Sequence, residues 1–163
     1  MAMSADGFIT KHQGGLVDWT SKEDKKHFRT ITKEVGAVIY GKKTFDTFPK
    51  PLPDRLNIVM TRNPEGLEQQ EGLLEFTNAE PLALLKDLAK REFEQVVLGG
   101  GAQINKLFLE QNLVDEIYLT IEPKLFGSGH PLLSETKIDV DLELIHMTNL
   151  TQDSLLLHYK VKK

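Results

Sequence analysis

The chain contains no cysteine. That excludes disulfides, thiolate metal sites and cysteine nucleophiles. It also lacks an excess of positive charge: the formal net charge is -4. Bulk attraction to nucleic acid or to an anionic membrane is therefore not expected, and any basic residue that matters must act locally. No apolar run approaches membrane-spanning length, and no charged leader precedes a hydrophobic signal segment, so a cytoplasmic protein is expected. His12, His27, His130, His146 and His158 are scattered without metal-ligand spacing, so no metal site is expected. Repeats and low-complexity linkers are absent as well. What remains, 163 residues of which 40% are hydrophobic and 27% charged, suits one soluble domain over residues 1–163 with a sizeable core.

The densest local signal is Gly41-Lys42-Lys43-Thr44, followed by Phe48-Pro49-Lys50-Pro51-Leu52-Pro53-Asp54-Arg55. An apolar run, Ala37-Val38-Ile39-Tyr40, precedes it, and another, Asn57-Ile58-Val59-Met60-Thr61, follows. Both read as buried strands. Gly41 turns the first into a short helix whose unpaired N–H groups and positive dipole end suit phosphate. The prolines stiffen the next loop, which ends on Arg55, so a guanidinium can be aimed at a carboxylate or phosphate.

Strands and helices alternate along the chain. A short strand at residues 2–4 is followed by a loop through Gly14-Gly15 and a helix over residues 21–35. Thr20 with Glu23, or Ser21 with Asp24, offers its capping box. After Arg62-Asn63-Pro64-Glu65-Gly66 come a weak strand at 73–76 and a helix at 81–90 with Leu82, Leu85 and Leu88 or Ala89 inward. A buried strand at 95–98 leads through Gly99-Gly100-Gly101 into a helix with Ile104, Leu107 and Phe108 on one face. A strand at 116–121 precedes an antiparallel hairpin over 142–150 and 154–161, where His146 and His158 can face each other. The expected fold is a three-layer α/β/α sandwich. Its central sheet is mixed and mostly parallel, ending in that hairpin.

Ligands of open α/β sheets bind beyond the carboxyl ends of the strands. Gly41 to Thr44 and the glycine triplet both qualify. The triplet lacks the dinucleotide fingerprint spacing and a suitable acidic residue downstream, so an ordinary Rossmann domain is not expected. Its alternative is a tight packing turn. Asp24 shares a helix face with Phe28, Ile31 and Val35. It reads either as a helix-capping acid or as a carboxylate at the rim of a cleft, able to bind an amidine-like edge or deliver a proton.

Taken in order, Asp18-Trp19, Asp24, Phe28, Gly41-Lys42-Lys43-Thr44, Pro51-Leu52-Pro53-Asp54-Arg55, Asn57-Ile58-Val59, Val97-Leu98-Gly99-Gly100-Gly101 and Tyr118-Leu119-Thr120 resemble the dihydrofolate reductase superfamily over nearly the whole chain. Ser4-Ala5-Asp6-Gly7 and the segment from Glu122 to Leu133 resemble the riboflavin-pathway reductases of the same superfamily. The first strand starts several residues later than is usual there. In a complete chain that would remove or replace part of the sheet and of the nicotinamide pocket.

The resemblance implies NADPH-dependent reduction of dihydrofolate to tetrahydrofolate, within one-carbon metabolism, by a monomer or weak homodimer. By that resemblance Asp24 holds the 2-amino and N3 side of the pterin and favours protonation at N5. Trp19 covers the site, and Thr120 steadies Asp24. Ala2, Lys25, Phe28, Phe48, Leu52 and Leu98 contribute to the substrate pocket, and Arg55 takes the glutamate α-carboxylate. Ala2, Ile9 and Leu98 frame the nicotinamide. Thr44 and Gly100, Gly101, Ala102 and Gln103 hold the pyrophosphate. Lys42, Lys43 and Arg62 surround the ribose 2′-phosphate, and Gly41, Thr61 and Ile104 are further cofactor-binding residues. A cis Gly99–Gly100 bond is also implied.

Lys25 stands where dihydrofolate reductases present an apolar residue, which suits a phosphorylated substrate. It supports a second reading, a pyrimidine reductase acting on a ribosylaminouracil phosphate. A third reading is an idle NADPH-binding module. Phe126-Gly127-Ser128-Gly129 is a candidate turn at a subunit contact.

Overall fold

The computed structural model describes residues 1–11 and 18–163; His12, Gly14, Gly15 and Val17, on which part of the expected active-site loop falls, lie outside the described residues. The elements follow in the order β1 (Ala2–Ser4), α1 (Lys22–Val35), β2 (Ala37–Gly41), α2 (Lys42–Phe45), β3 (Leu56–Met60), β4 (Leu74–Thr77), α3 (Pro81–Lys90), β5 (Val97–Gly100), α4 (Ala102–Glu110), β6 (Glu116–Glu122), β7 (Leu142–Asn149) and β8 (Leu155–Val161).

Hydrogen bonding divides the strands into two four-stranded sheets, β4-β3-β2-β5 and β1-β6-β8-β7. Every pair in the first is parallel. In the second, β1 runs parallel to β6, while β6–β8 and β7–β8 are antiparallel. The mixed, largely parallel α/β fold with a C-terminal hairpin is thus present. The edges of the two sheets meet at Gly100, where an added Cβ would stand 3.0 Å from the Met1 side chain.

The core lies on one face of β2 and β3. Ala37, Ile39, Leu56, Ile58 and Met60 pack there with Leu84 and Leu88 of α3 and Phe108 of α4. Each fully buried isoleucine or leucine side chain of this set contributes about 1.5–3 kcal/mol by leaving water. The opposite face carries Val38, Tyr40 and Val59, also buried, and α1 packs against β2 and β5. Helices α3 and α4 are amphipathic as expected, but the phase of α3 differs: Leu84 and Leu88 are inward, while Leu82 is 47% exposed. Apolar residues at 82, 84, 85 and 88 fit two helical phases. The 84/88 pair, one turn apart beside buried Pro81, is the one that meets the sheet.

Helix α1 begins at Ser21, whose hydroxyl accepts the Asp24 N–H at 3.2 Å, the second of the two expected caps. It ends on Gly36, whose φ of 81° is the left-handed conformation that closes the last turn onto Thr32 O and that glycine adopts at least cost. No helix among the described residues is long and apolar enough to cross a membrane.

Candidate active site

Two glycine loops lie side by side because their strands do. β2 and β5 are parallel neighbours, with Tyr40 opposite Gly100, so both chains leave the sheet at the same end. Gly41 starts α2 and Gly101 starts α4, and neither helix start is capped by a side chain. A Cβ on Gly41 would stand 3.0 Å from Ile104 Cγ1, and a Cβ on Gly101 3.0 Å from Thr44 Oγ1. Only glycine lets the two loops touch. β3 pairs with β2 so that Met60 lies opposite Gly41; Thr61 and Arg62 therefore emerge at the same sheet end as Lys42 and Lys43. Lys42 is partnered by Asp46 at 2.6 Å, whereas Lys43 and Arg62 are exposed.

The resemblance implied a cis bond between Gly99 and Gly100; the cis bond joins Gly100 to Gly101. The strand continues through Gly100 and the helix starts at Ala102, which moves the turn one residue along. Gly99 is instead a packing position: a Cβ there would lie 2.6 Å from the Tyr40 ring.

Asp24 is set by a chain of contacts at the start of α1. The Ser21 N–H donates to Glu122 Oε1 at 2.7 Å, and the Ser154 hydroxyl donates to Glu122 Oε2 at 2.6 Å. Glu122 is buried at the end of β6. Burial pushes its carboxyl up, but the hydrogen bonds from Ser154 and Ser21, with Lys124 nearby, outweigh burial and leave it below its ordinary value. The start of α1 is thereby pinned to β6 and to the β7–β8 turn. Asp24 itself is half-buried, and its carboxylate takes no hydrogen bond from the described residues. Its charge reaches two neighbours. Burial lowers the pKa of the Met1 amine, which Asp24 opposes, and burial likewise lowers His27 while Asp24 works the other way. Met1 donates to Tyr118 O at 2.7 Å and accepts from Thr120 N at 2.8 Å. Thr120 is buried opposite Ala2. Among the described residues no hydrogen bond joins it to Asp24; its backbone belongs to the β1–β6 pairing.

The proline loop is held from beneath by Asn57. Its Nδ2 donates to Leu52 O, Arg55 O and Leu73 O at 2.8–3.0 Å, and its Oδ1 accepts Leu52 N at 3.0 Å. Arg55 is 8% exposed. Its Nε donates to Pro53 O at 2.9 Å, and its Nη1 to Arg29 O at 2.9 Å and to the Thr32 hydroxyl at 2.5 Å. The guanidinium thus closes the end of α1 with one edge, and Nη2 has no partner among the described residues. Phe48 stands 5.3 Å from the Tyr40 ring. The Tyr40 hydroxyl is buried without a partner among the described residues, and burial pushes its pKa far up. Phe28, Leu52 and Leu98 are half-buried. The ammonium of half-buried Lys25 has no ion pair among the described residues.

Trp19 is 6% exposed, its Nε1 is buried without a hydrogen-bond partner among the described residues, and its ring meets Phe126 edge-on at 4.9 Å. Ile9 is buried nearby in sequence and donates its N–H to His130 O at 2.7 Å. Lys11, Lys124, Leu125 and Phe126 line an open pocket of about 430 Å³. It lies at the Phe126 turn and includes neither Asp24 nor the glycine loops, so its chemistry is that of a surface depression. No cluster of His, Asp or Glu among the described residues could hold a metal ion.

The dihydrofolate reductase family model matches residues 1–130. The chain belongs to the dihydrofolate reductase family. Type 3 dihydrofolate reductase of Salmonella typhimurium is 35% identical over 118 residues, covering 71% of this chain and 66% of that protein. Among solved structures, a protein of Shewanella sp. PV-4 named for riboflavin biosynthesis superposes with a TM-score of 0.83 at 21% identity, over 100% of this chain and 97% of that one. The Thermotoga maritima diaminohydroxyphosphoribosylaminopyrimidine deaminase/5-amino-6-(5-phosphoribosylamino)uracil reductase gives 0.81 at 16% identity, over 99% of this chain and 55% of that one. These two likenesses establish the fold. As a member of the dihydrofolate reductase family the chain has an oxidoreductase-type architecture. Asp6, Asn57, Glu122 and Phe126 stand in segments that the sequence marks out, but the sequence assigns none of them the contacts described above. Asn57 alone left a sign, a polar residue at the head of a buried apolar strand.

Proposed function

We propose that the protein is a single-domain, NADPH-dependent reductase of dihydrofolate, acting as a monomer or weak homodimer and supplying tetrahydrofolate. The observation that carries this reading is Asp24: a half-buried carboxylate without a hydrogen-bond partner among the described residues, close to Met1, which also reaches Gly100. An unpaired, partly desolvated acid is available to a ligand.

The residues present fit the cofactor, because the gap between Thr44 and Gly101 is a cradle that a Cβ would fill. When bound, NADPH supplies the hydride. Thr44, Gly101 and the free N–H groups at the start of α4 would hold its pyrophosphate. Lys43 and Arg62 would meet the ribose 2′-phosphate, with Lys42 sharing its charge with Asp46. Ala2, Ile9 and Leu98 would frame the nicotinamide. Asp24 would bind the 2-amino and N3 side of the pterin and favour a proton at N5, so that hydride and proton together saturate one C=N bond. Phe28, Phe48 and Leu52 would line the path of the aminobenzoyl group. The free Nη2 of Arg55 would take the α-carboxylate, and Trp19 would exclude water.

Lys25 favours a second reading, reduction of a ribosylaminouracil phosphate, because an unpaired ammonium on the Asp24 helix suits a phosphate. The test is NADPH consumption with dihydrofolate, with and without a pterin-mimicking antifolate, alongside Asp24→Asn. Antifolate-sensitive turnover that falls about 10²–10⁴-fold in the variant is expected. Turnover only with the phosphorylated pyrimidine selects the second reading. NADPH binding without turnover on either selects an idle module.

A further inference from the structure

Asp6 lies outside the residues assigned to chemistry, yet its carboxylate is fully engaged. The Ser4 hydroxyl donates to Oδ1 at 2.5 Å. The Phe126 N–H donates to Oδ2 at 3.0 Å and the Gly127 N–H to the same oxygen at 2.7 Å. These contacts join the turn after β1 to a segment 120 residues away. Ala5 N–H to Lys124 O at 2.8 Å and Ile9 N–H to His130 O at 2.7 Å run alongside. At Gly129 the two segments touch so closely that a Cβ would collide with Thr10 O. Two N–H groups converging on one carboxylate form an anion-binding turn that an uncharged side chain cannot fill equally. The hydrogen bonds from Ser4 and Gly127 hold the Asp6 carboxyl below the usual aspartate range, so the acceptor stays ionised at neutral pH. The residue whose backbone is held there, Phe126, is the residue whose ring meets Trp19 at 4.9 Å and 86°.

We propose that Asp6 is a positioning residue: its carboxylate fixes the Phe126–Gly127 turn and, through the Phe126 ring, sets the indole of Trp19 in place. The inference concerns Trp19 itself. Its consequence for turnover rests on the reductase reading, in which Trp19 covers the substrate. Trp19 is the only tryptophan of the chain, so intrinsic fluorescence reports on this one ring.

The experiment compares the full chain with Asp6→Ala, Asp6→Asn and Phe126→Leu. Asp6→Ala is expected to shift Trp19 emission to the red and raise its quenching by acrylamide at unchanged far-ultraviolet dichroism. Phe126→Leu, which leaves the carboxylate contacts intact, gives the same change, and Asp6→Asn, which keeps one acceptor oxygen, recovers part of it. With an active preparation, KM for the substrate rises in Asp6→Ala and kcat changes less. Parent-like emission and quenching in folded Asp6→Ala overturn the proposal. Should that variant fail to fold, Asp6→Asn decides it: parent-like fluorescence there, with an altered signal in Phe126→Leu, overturns it too. Absence of turnover in every protein including the parent counts against the reductase reading alone, because the fluorescence comparison stands without it.

Discussion

Gly101 and Thr44 occupy each other's space: a Cβ on Gly101 would lie 3.0 Å from the Thr44 hydroxyl. Gly101→Ala must therefore push Thr44 aside or narrow the gap between the two loops. The expected outcome is an NADPH dissociation constant about tenfold higher or more, with the fold retained. Thr44→Val, nearly isosteric, removes only the hydroxyl and weakens binding by about three- to tenfold, the worth of one ordinary hydrogen bond. Calorimetric titration with NADPH checks both. Parent affinity in both variants would remove this gap from the cofactor site.

Arg55 carries two duties in the proposed reading, and they separate. Its Nε and Nη1 bonds close the end of α1, so Arg55→Lys, which cannot make the forked contacts, should cost about 1–3 kcal/mol of stability. In a chain of this length that lowers Tm by roughly 2–4 °C per kcal/mol. The substrate duty is tested on the unaltered protein: dihydropteroate, which lacks the glutamate, should show a higher KM than dihydrofolate at similar kcat. Equal KM values would leave Arg55 a purely structural residue.

These two sites also mark how far the sequence could be read. The glycine loops were legible because strand, glycine and helix follow one another within a few residues, and parallel pairing of β2 with β5 then forces their ends together. The Ser21 cap, Gly36 and the terminal hairpin were legible for the same local reason. Arg55 was legible as the residue that ends the proline-stiffened loop. Its burial was not, since Arg29 and Thr32 lie a full helix away in sequence and only the packing of α1 onto β2 brings them close. Asp6 partners Phe126 and Gly127 across 120 residues, and no local pattern encodes such a pair. The phase of α3 was ambiguous because its leucines satisfy two faces, and the sheet chooses.

His27 makes stability depend on pH. Burial, first, and the Met1 ammonium, second, depress its pKa below 6.5, and its Nε2 is buried without a partner among the described residues. A histidine whose folded pKa lies below its unfolded value binds fewer protons folded than unfolded between the two. Its contribution is present above pH 6.5 and is lost as pH falls from 6.5 through the folded pKa. Urea unfolding at stepped pH should show stability declining over that window, and His27→Leu should flatten the decline. The same slope in both proteins would assign the effect to other groups.

The last prediction concerns the outer edge of the second sheet. β7 pairs with β8 on one side only, every residue of it is exposed, and Leu144, Ile145 and Met147 are each about half exposed. An edge with free N–H and C=O groups and apolar side chains invites another strand. Its sequence is suited to an antiparallel copy of itself. With the two-fold axis between Leu144 and Ile145, beside the bulge, Glu143 faces His146 of the second copy and Leu142 faces Met147, each twice, so both charge and apolarity match. If two copies associate as the proposed weak homodimer, this edge is where they are expected to pair. Leu144→Lys places a charge at the centre of the pair and should hold the chain monomeric, while reductase turnover and Trp19 emission stay unchanged. Sedimentation velocity over a concentration series reads this directly. A parent that sediments as a monomer throughout, or a Leu144→Lys variant that associates like the parent, would move any contact between copies away from β7 and leave the strand an edge kept open by its own bulge.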